Sequence, residues 1–87
     1  MRSRFDAHIE TAGGVGNLSR VVGVMALLDL TPQVLTSHDS HSGLSIDIQF
    51  VAHRRDAELC LSRLRALVSV TSASLTTTAQ AAPEDVV

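Results

Sequence analysis

Two clusters in this 87-residue sequence hold residue types capable of chemistry. His38-Asp39-Ser40-His41 gathers two imidazoles and a carboxylate, donors that suit a transition metal. Two histidines three apart in a polar stretch, with no further ligand close in sequence, are better read as a solvated turn. Gly13-Gly14-Val15-Gly16-Asn17-Leu18 is a glycine turn that runs into helical spacing. It lacks the Gly-Lys-Ser/Thr ending of phosphate loops and the spacing of the dinucleotide fingerprint. What it offers is backbone amides at a helix N-terminus, suited to a carboxylate or other small anion, and a plain strand-to-helix turn is an equally good account. Cys60 is the single cysteine and falls on an apolar stripe, so it reads as a small buried hydrophobe. His8 and His53 occupy polar positions of alternating segments, with no evident acid or base partner, and read as surface histidines.

The elements that must position these residues follow from periodicity. Phe5, Ala7 and Ile9 alternate with Asp6, His8 and Glu10, which predicts a half-buried strand over 5–10. From Asn17 the apolar residues Leu18, Val21, Val22, Met25 and Leu28 recur at three and four positions, predicting a helix that stops near Leu30 because Pro32 disfavours helical geometry before it. A short strand over 33–37 and a polar loop over 38–43 precede the clearest strand, Leu44 to His53, and the two strands form a hairpin. Asp56 is the expected cap of a second helix, whose buried face carries Ala57, Cys60, Leu61, Leu64, Leu67 and Val68. A last strand is expected over 68–75. The predicted order is βαββαβ, an α+β ferredoxin-like fold: a four-stranded antiparallel sheet with both helices on one face. It makes one domain over 1–76, with 77–87 as a flexible C-terminal tail.

Composition then removes several functions this fold can carry. Net charge is −2, all seven basic residues are arginine, and Phe5 and Phe50 are the only aromatics. A nucleic-acid platform needs a basic face and rings on the central strands, whereas these strands offer Asp6, His8, Glu10, Ser45, Asp47 and Gln49. A soft-metal carrier needs cysteines in the first loop, which has none. An acylphosphatase needs an arginine in that loop, and Arg20 falls about one turn inside the helix. The longest apolar stretch, Val21 to Leu30, is too short to span a bilayer. The expectation is therefore a chain without metal, cofactor, nucleic-acid or membrane partner, in the reducing cytoplasm.

The run Gly16-Asn17-Leu18-Ser19-Arg20-Val21-Val22-Gly23-Val24 resembles the Gly-x-Leu-Ser-Arg-Val-x-Gly stretch of acetolactate synthase (acetohydroxyacid synthase) small regulatory subunits, which are ACT-domain proteins. Leu64 to Val70 is similar to the end of their second helix and entry to their last strand. The likeness covers residues 5 to about 76, as in the short, single-domain type. It implies a protein without catalysis of its own, which binds the large thiamine-diphosphate-dependent catalytic subunit and raises its activity in branched-chain amino-acid synthesis. It implies side-by-side pairing of two sheets in a homodimer, with an amino-acid effector between the first loop of one protomer and the second strand of its neighbour. The implied effector site draws on Gly14, Val15, Gly16, Asn17 and Leu18, with Gly16 and Asn17 meeting the carboxylate, and on Thr31, where the family commonly has Asn. The rival reading is a stand-alone ACT sensor of amino acids that acts on another partner.

Overall fold

In the computed structural model, which describes residues 2–77, Phe5, Ala7 and Ile9 of β1 (Arg2–Thr11) are buried while the residues between them stay partly open. Strand β3 (Gly43–His53) repeats the alternation with Leu44, Ile46, Ile48, Phe50 and Ala52. These strands pair antiparallel over their whole length, Phe5 opposite Phe50 and Ile9 opposite Ile46, so both apolar rows fall on one face. The two rings lie 5.9 Å apart between centroids, a stacking distance that welds the centre of the sheet. With β2 (Val34–Ser40) beside β3 and β4 (Val70–Thr77) beside β1, the sheet runs β2-β3-β1-β4. Helices α1 (Val15–Leu27) and α2 (Arg54–Arg65) close the apolar face with Val21 and Met25 from one and Ala57, Cys60 and Leu64 from the other. The βαββαβ ferredoxin-like expectation is met.

Element boundaries depart from expectation where long-range contacts outweigh local signals. α1 begins at Val15, two residues before the apolar spacing does, because Gly14 (φ 111°) turns the chain straight into it. It ends at Leu27, ahead of Pro32: Asp29 adopts φ 57°, and the Leu30 amide donates to the Met25 carbonyl while the Asp29 amide donates to that of Ala26. This is a Schellman closure, and the buried Leu30 anchors it in the core. The polar residues 38–40, expected in a loop, belong to β2, since pairing of His38 with Ser45 and Asp39 with Leu44 extends the ladder to a turn at 41–42. β3 runs into α2 without a loop, so His53 stands at the helix cap and Asp56 in the first turn, where its charge still complements the helix dipole but its side chain makes no cap bond. Val68 was expected on the buried face, yet α2 has ended by then and its side chain is 99% exposed. Thr76 and Thr77 are the last residues of β4, paired with Asp6 and Phe5; the rest of the expected tail, 78–87, lies outside the described residues.

Candidate functional site

The first glycine turn is held from three sides. The Ala12 amide donates to the Ser69 carbonyl at 2.9 Å, tying the turn to the α2–β4 connection. Asn17 Nδ2 donates to the Ala12 and Gly13 carbonyls, 2.9 Å each, and the Asn17 amide donates to the Gly14 carbonyl at 3.1 Å. From below, Gly43 packs so closely that an added Cβ would stand 2.1 Å from the Thr11 carbonyl oxygen. The helix that follows has no side-chain cap and no acidic residue in its first turn. Its first amides, those of Val15 and Gly16, are accordingly open, in exposed backbone beside Gly14, and the helix dipole there carries no compensating charge.

The residues singled out from sequence thus divide. Gly14, Val15 and Gly16 form the exposed rim of the turn, Asn17 spends its side-chain amide on the loop, and Leu18 packs partly against the core. Thr31 is exposed beyond the other end of α1, a helix of 13 residues and so about 20 Å long. There it lines a cleft of about 410 Å³ with Arg2, Asp29, Gln33, His53 and Asp56. One protomer does not bring Thr31 to the glycine turn.

The open face of the sheet holds a cluster that sequence reasoning missed. His8 Nδ1 lies 2.7 Å from Asp47 Oδ1 and His8 Nε2 lies 2.7 Å from Glu10 Oε2, while Ser45 Oγ donates to the same Glu10 oxygen at 2.6 Å. Hydrogen bonds to Asp47 and then to Glu10 hold the His8 imidazolium, raising its pKa above 6.5. The Ser45 hydroxyl, followed by His8, keeps the Glu10 carboxyl below its ordinary value. The strand alternation that puts His8 and Glu10 on one face was visible, but Asp47 and Ser45 join them only through the β1–β3 register, His8 opposite Asp47 and Glu10 opposite Ser45. Both imidazole nitrogens are occupied, so the cluster is an ion-pair network. Among the described residues no group of three or more His, Cys, Asp or Glu side chains is placed to hold a metal ion.

Comparison with known proteins decides the family. A family model described as an ACT-like domain matches residues 2–82. The chain belongs to the ACT-like domain family. Among solved structures, the ACT domain from the GTP pyrophosphokinase of Chlorobium tepidum superimposes with a TM-score of 0.75 at 13% identity, covering 87% of this chain and 100% of that one. A homoserine dehydrogenase from Thiobacillus denitrificans gives TM-score 0.75 at 13% identity over 88% of this chain, which spans only 17% of that enzyme's length. The C-terminal domain of the MgtC protein from Mycobacterium tuberculosis gives TM-score 0.71 at 8% identity, covering 91% of this chain and 90% of that one. No curated protein gives a significant match. ACT domains are in general small-molecule regulatory modules, and this chain is one of that family. Among its described residues no helix is long and apolar enough to cross a membrane.

Proposed function

We propose that this ACT-like domain is a regulatory subunit that binds and activates the large catalytic subunit of acetolactate synthase in the cytoplasm. The observation that carries the reading is the run Gly16 to Val24, which resembles those small subunits and opens α1 beside the uncompensated Val15 and Gly16 amides. Such amides suit the carboxylate of an amino-acid effector. Thr31 lies a helix length away, so an effector touching both positions requires a second protomer. β2 is an edge strand and, through its outer backbone groups, supports side-by-side pairing of two sheets. Mixing the chain in excess with the large subunit is expected to raise acetolactate formation and to yield a complex that co-purifies. Absence of both stimulation and complex would sink the proposal. The open amides also favour a second reading, a free sensor. Calorimetric heat with valine, leucine or isoleucine that disappears in Gly16→Leu, without any effect on the synthase, would support that reading.

A further inference from the structure

The cleft of about 410 Å³ at the C-terminal end of α1 lies between the α1–β2 connection, the end of β3 and the start of α2. Its floor is apolar, formed by Leu28, Leu30 and Ala52. Its rim carries the charged side chains of Arg2, Asp29 and Asp56. A volume in this range, with an apolar floor and a few polar groups around it, is that of a small-molecule site. Asp29 is the residue that stability does not explain. It takes φ 57° at the position where a helix end favours glycine. Its carboxylate stands beyond the last turn of α1, which holds no basic residue, so its charge adds to the negative end of the helix dipole instead of offsetting it. Asp56 at least complements the dipole of α2. Among the described residues neither Asp29 nor Asp56 has a side-chain hydrogen bond or an ion pair. Arg2 is anchored at the rim by Nη2, which donates to the Val51 carbonyl at 3.3 Å and so uses one donor of a guanidinium fork that matches a carboxylate.

We propose that this cleft binds a small basic amino acid of the lysine type. Two carboxylates against one guanidinium leave the rim with one negative charge in excess, which a ligand with two ammonium groups and one carboxylate neutralises group by group. The ligand carboxylate meets Arg2, its ammonium groups meet Asp29 and Asp56, and its methylenes lie on the floor of Leu28, Leu30 and Ala52. The negative end of α1 strengthens the hold on the ammonium beside Asp29. This arrangement accounts for an aspartate where backbone geometry and helix dipole both favour another residue. The site is complete in one chain, lies a helix length from the glycine turn and stands whether or not that turn holds an effector.

Titration of the isotope-labelled full chain with L-lysine, followed by amide NMR shifts at constant ionic strength, tests it. The amides of 29–31 and 52–56 are expected to move together while those of 14–18 stay still. Norleucine, which lacks the second ammonium, and cadaverine, which lacks the carboxylate, are each expected to bind at least about 5-fold more weakly. Asp29→Gly is expected to weaken lysine binding by a similar factor without loss of stability, since glycine accepts φ 57° freely. Arg2→Ala is expected to remove the preference for lysine over cadaverine. Shifts confined to 14–18 would put the ligand at the glycine turn and overturn the proposal. So would the absence of any shift up to about 10 mM lysine, or a folded Asp29→Gly chain that binds as tightly as wild type. The readout needs no synthase, so loss of lysine binding and loss of acetolactate stimulation are separate results.

Discussion

Gly43→Ala probes the contact on which the candidate effector turn rests. The new Cβ would stand 2.1 Å from the Thr11 carbonyl oxygen, 3.1 Å from the Thr11 carbonyl carbon and 3.2 Å from Ala12 Cα, all backbone atoms. No flexible side chain can yield there, so β3 and the end of β1 must part by about 1 Å, an overpacking strain that costs roughly 1–3 kcal/mol. The same movement loosens the pairing of Thr11 with Leu44 and of Ser40 with Gly43, and each weakened backbone hydrogen bond adds about 0.5–1.5 kcal/mol. The expected loss is about 2–6 kcal/mol, which for a domain of this size lowers the melting temperature by at least about 8 °C. The chain has neither Trp nor Tyr, so the assay is urea and thermal unfolding followed by far-ultraviolet circular dichroism. Gly23→Ala is the matched control: its added Cβ meets nothing within 4 Å inside α1, and alanine is expected to stabilise the helix by roughly 0.5–1 kcal/mol. A Gly43→Ala protein within about 0.5 kcal/mol of wild type would refute the reasoning.

The His8 network makes stability depend on pH in a stated direction. His8 has its folded pKa raised above 6.5, so its contribution is complete below 6.5 and is lost as pH rises through the folded value; Glu10 has its folded pKa lowered, so its contribution is present above 4.5 and is lost as pH falls through the folded value. The cluster therefore stabilises most between about 4.5 and 6.5, and His8→Gln is expected to flatten the alkaline side of a plot of urea midpoint against pH; an NMR titration placing His8 at or below 6.5 would contradict the network. Burial pushes the Cys60 thiol up to about 11, so the folded chain is expected to react with a thiol reagent only as fast as it opens, and rapid labelling without denaturant would count against the packing of α2 on the sheet.

The face that becomes core was legible because alternation and helical stripes are local: Phe5, Ile9, Ile46, Ile48, Phe50, Val21, Met25, Ala57, Cys60 and Leu64 are all buried as their spacing requires. Leu35 on the edge strand β2 also packs against the core, a contact set by the Leu35–Ile48 pairing rather than by local spacing. The exposed amides of the first turn were also visible, since glycine spacing and the change of period mark a helix start wherever the chain goes next. The two-carboxylate clasp on His8 was not. Its partners lie 2 and 39 positions away, and only strand register selects the distant one.

Sequence by itself therefore determined the element order, the apolar face of each element and the glycine turn, because these depend on neighbours within a few residues. Tertiary structure decided where the elements end, what Asn17 and Gly43 support and which charges share the open face. Those outcomes depend on hydrogen bonds and steric contacts between segments far apart in the chain. His38 shows the difference: its polar neighbours suggest a loop, yet pairing opposite Ser45 makes it a strand residue, because a ladder hydrogen bond satisfies the backbone whatever the side chain prefers.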